Sequence, residues 1–213
     1  MNGTRKFLIV DDHAVVRQGL KAILAEAHPG ARLGEAQNAM EVFSQLRQHE
    51  WDLVMLDINI PGTSGLEILK DIKQEYPALP VLMLSAHSED QYAMRVLKGG
   101  AAGFLTKGSA PEELVQAVRK VLGGGKYVSP ALAEKLASHL DTKRDGPPHE
   151  LLSDREFQVL RLIASGKTPT EIAADLSLSV KTISTFRTRI LAKLDMRNSS
   201  ELTHYAIDNG LLE

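Results

Sequence analysis

Residues 53–65 read LVMLDINIPGTSG, so an apolar run of four residues ends at Asp57 and leads into a loop that contains proline and glycine. A short apolar run bounded by turn residues is typical of a strand buried on both faces. The residues after Gly65 place their apolar side chains at helical spacing. This order of strand, loop and helix predicts one step of a parallel sheet covered by helices.

Units of this kind repeat between residues 7 and 124. Strands are predicted at residues 7–10, 33–36, 53–56, 81–84 and 103–106. Helices are predicted to begin near His13, Ala39, Gly65, Glu89 and Pro111. Because strands that alternate with helices pair in parallel, we expect an α/β unit with a doubly wound five-stranded parallel sheet.

The end of this unit is marked by three consecutive glycines. Residues 123–125 (GGG) close the fifth helix, because glycine readily adopts the left-handed conformation of a helix carboxyl terminus. Residues 129–140 are predicted to form a further short helix, and residues 141–150 (DTKRDGPPHE) form a polar linker. We therefore predict domains at residues 1–125 and 151–213, joined by residues 126–150.

The last part of the sequence shows helical patterns alone. Residues 153–156 (SDRE) and 168–171 (TPTE) are capping boxes, in which the first and fourth residues satisfy free amides at a helix start. Ser179 is predicted to cap the next helix. Helices at residues 169–176 and 180–194, with a turn of about three residues between them, have the lengths of a helix-turn-helix in a small all-α domain.

The composition is that of a folded globular protein. The 213 residues are 43% hydrophobic and 24% charged, close to the average for such proteins. The absence of cysteine excludes disulfides and thiol chemistry and favours a cytoplasmic location. No apolar run approaches the roughly 18 residues of a membrane span, so no membrane association is expected. Because the net charge is -2, any nucleic-acid site has to be a local basic patch.

Polar residues follow the predicted strands at their carboxyl ends, where ligands bind in open parallel sheets. They are Asp11, Asp12, Asp57, Ser85 and Lys107. Three carboxylates in one place repel one another unless a cation joins them, and hard oxygen ligands suit Mg²⁺. Each residue alone could be an ordinary turn, cap or surface residue. Their joint position on successive strand ends favours a functional pocket.

This part of the chain resembles the receiver domains of two-component systems, which have a flavodoxin-like fold. The resemblance covers residues 7–124 and rests on four motifs: IVDDH at 9–13, LDINIPGTSG at 56–65, LSAH at 84–87 and GFLTKG at 103–108. It implies that Asp57 accepts a phosphoryl group from a sensor histidine kinase. It also implies that Mg²⁺ is held by Asp12, Asp57 and the backbone carbonyl of Asn59, with Asp11 assisting through water, and that Lys107 and Ser85 bind the phosphoryl oxygens.

Phe104 lies three residues before the lysine, at the position of the family's switch aromatic. Many relatives have tyrosine there. A phenyl ring can still move inward when Ser85 moves toward the phosphate, although it cannot form a hydroxyl hydrogen bond at the surface. The alternative is that Phe104 is half-buried strand packing.

The carboxy-terminal part resembles the LuxR-type domain of regulators of the NarL/FixJ type. The similarity rests on LSDRE at residues 152–156, EIAADLSLSVKTISTFRTRI at 171–190 and LAKLDMRNSSEL at 191–202. Spacings of three and four residues predict that the core-facing side chains of the second helix are Ile183, Phe186, Ile190 and Leu194. The segment around this helix is locally basic, which suits DNA phosphates.

The candidate DNA contacts lie on this helix. Ser184, Thr185 and Thr188 are candidates for base edges. Phosphate contacts are expected from Lys181, Arg187, Arg189 and Lys193, and Thr182 also points outward. The opposite interpretation is an ordinary solvated helix of a small bundle.

Such domains usually bind promoter DNA as symmetric pairs, so we expect a homodimer when the protein is phosphorylated. The last helix, residues 201–209, carries Leu202, Tyr205 and Ala206, which could either pair with a second copy or pack in the core.

The resulting prediction is a response regulator and DNA-binding transcription factor, not an enzyme beyond slow self-phosphorylation and autodephosphorylation. One alternative is an aspartyl-phosphate phosphotransferase, but such enzymes commonly place a second aspartate two residues after the nucleophile, where this chain has Asn59. The other alternative is a transcription regulator that works without phosphorylation.

Overall fold

The structure is a computed structural model that describes residues 4–86, 89–129, 132–134 and 147–212. The chain divides into two compact units, Met1–Asp141 and Thr142–Glu213. The predicted helix at residues 129–140 lies mostly outside the described residues. Its start is visible, because the amides of Leu132 and Ala133 donate to the side chain and carbonyl of Ser129.

Within the residues that the structure describes, the first unit contains a five-stranded sheet, five helices and the start of the further helix after Ser129. Its elements are β1 Lys6–Val10, α1 Ala14–Ala27, β2 Arg32–Ala36, α2 Ala39–Gln48, β3 Leu53–Asp57, α3 Gly65–Glu75, β4 Val81–Ser85, α4 Glu89–Lys98, β5 Gly103–Thr106 and α5 Pro111–Leu122. All strand pairs are parallel, and the strand order is β2-β1-β3-β4-β5. The predicted α/β fold is confirmed.

The strand order determines which residues meet. β1, β3 and β4 lie inside the sheet, and their apolar side chains are almost completely buried. β3 and β4 extend one residue beyond the predicted ends, because Asp57 still pairs with Leu84, and Ser85 pairs with Thr106. These polar residues are therefore fixed by the sheet ladder itself.

Two glycines show why this residue type is needed. Gly124, just after α5, has a φ of 81° in the left-handed region, as expected for a helix end. Gly65, the first residue of α3, packs against the end of β3. A Cβ atom at Gly65 would lie 2.0 Å from the carbonyl oxygen of Asp57 and 2.9 Å from the Cα of Ile58. The start of α3 therefore approaches the Asp57 backbone as closely as only glycine allows.

Between residues 147 and 212 the second unit contains helices and no strand. It comprises a 3-10 helix at Pro148–Leu151 and the helices α6 Asp154–Ala164, α7 Pro169–Asp175, α8 Val180–Lys193 and α9 Ser199–Asp208. Both predicted capping boxes are present, with Ser153 and Thr168 accepting from the amides of Glu156 and Glu171. Ser179 caps α8 as predicted. The helix-turn-helix is thus formed by α7 and α8.

The predicted linker ends earlier than the sequence indicated. The hydroxyl oxygen of Tyr205 in α9 accepts from the backbone amide of His149 at 3.1 Å and lies 2.9 Å from its Nδ1. The His149 ring also contacts the rings of Phe157 and Tyr205, each at 5.9 Å between centroids. Residues 148–150 therefore pack with the helical unit. Their polar sequence gave no sign of this, because the aromatic contact of His149 forms only when the chain folds.

The last helix starts earlier than predicted, and the structure favours one of the two alternatives for its apolar residues. α9 begins at Ser199, since the side chain of Asn198 caps it by accepting from the amide of Glu201. Leu202 and Ala206 are completely buried. These two residues therefore pack in the core of the unit.

In the part of the chain that the structure describes, no helix combines the length and the apolar character needed to cross a lipid bilayer.

Candidate functional site: an acidic pocket and a basic helix

The acidic pocket forms at the carboxyl edge of the sheet. Asp11 follows β1, Asp57 ends β3 and Lys107 follows β5. The Lys107 ammonium lies 2.7 Å from Asp11 Oδ2 and 2.8 Å from Asp57 Oδ2. Both carboxylates are completely buried. One ammonium group thus joins two buried carboxylates that come from different strands.

Burial and charge act in opposite directions on these groups. Burial raises the pKa of the Asp57 carboxyl, and the Asp11 carboxylate raises it further, although Lys107 works against both. Burial alone would lower the pKa of the Lys107 ammonium, but Asp57 and Asp11 outweigh it, so this pKa is raised. Lys107 therefore remains charged at neutral pH, and ionised Asp57 depends on its neighbours for stabilisation.

Asp12 and His13 complete the group. Ligand atoms of Asp11, Asp12, His13 and Asp57 all lie within 4.8 Å of one another. His13 Nδ1 is 2.8 Å from Asp12 Oδ1, and the His13 amide donates to Asp11 Oδ1 at 2.8 Å. His13 was not among the predicted site residues, although its position directly after two aspartates is a signal for it. Three carboxylates against one lysine leave excess negative charge, and their hard oxygen atoms fit a divalent cation.

Asn59 is placed next to the pocket through its backbone. Its amide hydrogen-bonds to the Asp57 carboxylate and so lowers the pKa that burial raises. The predicted role of its carbonyl as a metal ligand stays a prediction.

Ser85 and Phe104 lie beside these groups on β4 and β5. Ser85 is completely buried, and its carbonyl accepts from the Lys107 amide at 2.7 Å. Phe104 pairs with Met83 across the two strands and is completely buried, so its ring is more enclosed than the half-buried alternative supposed. A switch role for this inward ring stays a prediction.

The basic helix α8 shows two faces. Ile183, Ile190 and Leu194 are buried as predicted, whereas Phe186 is only half-buried. On the other face Lys181 and Arg189 are exposed, and Thr182, which supports the helix cap, is half-buried. The hydroxyls of Ser184, Thr185 and Thr188 each donate to the carbonyl four residues earlier, at 3.0 Å. With the proton used in this way, each hydroxyl oxygen presents its lone pairs as an acceptor.

Two of the predicted phosphate contacts have partners inside the unit. Arg187 Nε donates to the Ser199 hydroxyl at 2.8 Å and thereby ties α8 to α9. Lys193 Nζ lies 2.6 Å from the carboxylate of Glu156, whose side chain is nearly buried. Both residues hold helices together, so Lys181 and Arg189 are the better candidates for contacts outside the chain.

Both halves match known families. Residues 7–119 match the response regulator receiver domain, and residues 150–206 match the bacterial regulatory proteins of the luxR family. The acidic pocket and the helix-turn-helix lie within these matches. The chain is a response regulator.

Individual relatives support this assignment along the whole chain. The response regulator UvrY of Escherichia coli (strain K12) is 36% identical over 205 residues, which are 96% of this chain and 94% of UvrY. The response regulator GacA of Pseudomonas syringae pv. syringae (strain B728a) is 35% identical, with 98% of each chain covered.

Solved structures show the same fold. One structure of the RcsB response regulator of Salmonella typhimurium has a TM-score of 0.71 at 28% identity, with 99% of both chains covered. RcsB of Salmonella enterica serovar Typhimurium bound to promoter rprA, in the presence of the phosphomimetic BeF3-, has a TM-score of 0.64 at 28% identity, covering 95% of this chain and 98% of RcsB. This response regulator therefore combines a receiver with a LuxR-type DNA-binding domain, and its family consists of transcription regulators rather than catalytic enzymes.

Proposed function

We propose that this response regulator accepts a phosphoryl group on Asp57 from a sensor histidine kinase, and that this event promotes dimerisation and promoter binding. The observation that carries the proposal is the Asp57 carboxylate, which is buried beside Asp11 and bonded to Lys107 at the sheet edge. The proposed domains are residues 1–125 and 151–213 as predicted, with the second extended back to residue 148 because His149 packs on Phe157 and Tyr205, so that residues 126–147 form the connection. A cytoplasmic location fits the lack of cysteine.

The transfer needs a nucleophile and stabilised charge. An Asp57 carboxylate oxygen forms the new bond to phosphorus, while the bond from phosphorus to the kinase histidine nitrogen breaks and that nitrogen keeps the electron pair. Lys107 and the Ser85 hydroxyl bind phosphoryl oxygens, and Phe104 is proposed to respond to movement at Ser85. Mg²⁺ would be held by Asp12, Asp57 and the carbonyl of Asn59, with Asp11 assisting through water, and it would neutralise charge on the transferred group.

The DNA-binding surface is proposed on the exposed face of α8. Lys181 and Arg189 contact phosphates, and the acceptor oxygens of Ser184, Thr185 and Thr188 face base edges. Amino groups of adenine and cytosine are the donors that such acceptors read in the major groove. Promoter-bound RcsB and a structure of two RcsB dimers on two DNAs make DNA-bound dimers the natural comparison.

The central test combines phosphorylation and DNA binding on the same samples. Wild-type protein and Asp57→Asn are incubated with acetyl phosphate and Mg²⁺, and their intact masses, sedimentation and DNA affinity are measured. We expect one phosphoryl adduct on the wild type alone, together with dimer formation and DNA binding that is about tenfold tighter, a coupling of about 1.4 kcal/mol.

Each outcome has a distinct meaning. An adduct that changes neither association nor DNA affinity would leave the phosphoacceptor intact and overturn the coupling. If Asp57→Asn retained full promoter control in cells, a phosphorylation-independent regulator would be the better description.

The proposed phosphate contact of Lys181 gives a second prediction. Lys181→Ala should weaken binding to all DNA sequences by a similar factor and should reduce the slope of log affinity against log salt by about 1, because one fewer counterion is released. Fluorescence anisotropy at several salt concentrations measures both quantities. Lys126→Ala, which removes the same charge from an exposed site in the other unit, is the control. Equal salt slopes for Lys181→Ala and wild type would exclude the contact.

A further inference from the structure

Arg17 is a buried cation outside the acidic pocket. It lies on α1 and is only 7% exposed. Its Nη1 donates to the backbone carbonyl of Asp11 at 2.7 Å, and its Nε donates to Glu35 Oε2 at 2.8 Å. The guanidinium therefore connects α1, which carries Arg17, to the ends of both β1 and β2.

The Asp11 carbonyl belongs to the peptide unit that links Asp11 to Asp12. The orientation of this peptide plane sets the backbone from which both carboxylates extend. The Asp11 amide is held separately, because it donates to the carbonyl of Ala36 at 3.2 Å. The backbone between the two aspartates is therefore anchored on one side by the sheet and on the other side by Arg17.

Glu35 in turn fixes the guanidinium. Lys21 Nζ donates to Glu35 Oε1 at 2.6 Å, so the two carboxylate oxygens are held by different cations of α1. Hydrogen bonds from Lys21 and Arg17 lower the pKa of Glu35, so this carboxylate is charged at neutral pH. Arg17 cannot be replaced by lysine without loss, because a single ammonium does not reproduce the two fixed directions of the guanidinium.

We infer that Arg17, oriented by Glu35, is a positioning residue that presets the Asp11–Asp12 peptide for binding of a divalent cation. This inference rests on the Mg²⁺ site of the proposed function. Groups that orient metal ligands typically contribute 10–100-fold to metal affinity. Electrostatics alone predicts the opposite change in Mg²⁺ affinity, because removal of a nearby positive charge would strengthen cation binding.

The test measures Mg²⁺ affinity of the full chain by calorimetric titration. Arg17→Lys keeps the positive charge but cannot donate in two fixed directions. Arg17→Met loses the charge and both hydrogen bonds. We expect the dissociation constant for Mg²⁺ to rise about tenfold in each. Lys21→Met is the matched control, since Lys21 lies on the same helix and binds the same glutamate but does not contact Asp11. Its dissociation constant should change less than twofold.

The outcomes separate this inference from the proposed function. If the wild type does not bind Mg²⁺, the metal part of the proposed function fails. If the wild type binds Mg²⁺ and Arg17→Lys binds it equally well or more tightly, the positioning role is wrong, even where the variant is less stable. Glu35→Gln provides a second route should an Arg17 variant fail to fold, and it should weaken Mg²⁺ binding in the same direction.

Discussion

Gly65→Ala is expected to lower the free energy of unfolding of the receiver by about 3 kcal/mol or more. The added methyl group would lie 2.0 Å from the Asp57 carbonyl oxygen and 2.9 Å from the Asp57 carbonyl carbon. These are backbone atoms in a strand that is paired on both sides, so no side-chain rotation can relieve the overlap. The main chain has to shift at the residue that carries the proposed nucleophile.

Urea unfolding of the full chain measures this effect. The chain has one tryptophan, Trp51, which is buried in the receiver, so its fluorescence follows this unit alone. Gly19→Ala is the matched control, because Gly19 is exposed on α1 and an added Cβ meets no atom within 4 Å. Alanine should stabilise that helix by about 0.5–1 kcal/mol. Equal midpoints for Gly65→Ala and wild type would show that α3 can move away from Asp57.

Lys107→Met should destabilise the receiver by about 3–5 kcal/mol when Mg²⁺ is removed with EDTA. The substitution keeps most of the side-chain volume but leaves Asp11 and Asp57 buried without the ammonium that joins them. Two buried carboxylates without this counter-charge repel each other and cannot reach water. Trp51 fluorescence in urea again measures the loss, and Lys126→Met is the control for an exposed lysine.

The pH dependence and a double variant test the cause. Loss of the ammonium raises the folded-state pKa of Asp57 beyond the rise that burial already causes, so the destabilisation is fully present above the folded pKa, decreases as the pH falls below it, and is gone below the unfolded pKa. Asp57→Asn combined with Lys107→Met should recover much of the lost stability at neutral pH, since one charge is gone. A double variant no more stable than Lys107→Met would attribute the loss to packing instead.

The sequence predicted the elements well because local signals agree with the fold. Each predicted strand lies within the observed strand, and α1 begins at Ala14, directly after the predicted start at His13. The ends of β3 and β4 were missed by one residue, since Asp57 and Ser85 look like loop residues although they still pair in the sheet.

Contacts between distant elements were the part that the sequence did not reveal. The sequence placed Lys107 at the pocket but did not predict its ion pairs with Asp11 and Asp57, because these depend on distances that residue spacing does not encode. Lys193 likewise pairs with Glu156 across the helical unit. For Arg17 a signal was available, because a charged residue shares the apolar face of α1 with Leu20 and Leu24.

Because β5 is the last strand of the sheet along the chain, the pocket forms late during synthesis. The pocket needs Asp11 from the first strand and Lys107 from just beyond the last, so it cannot exist before nearly the whole receiver has left the ribosome. Synthesis proceeds from the amino terminus and contacts of large sequence separation form late. A receiver truncated before Lys107 therefore lacks the ion pairs with Asp11 and Asp57, and under the proposed function it would be a poor phosphoryl acceptor.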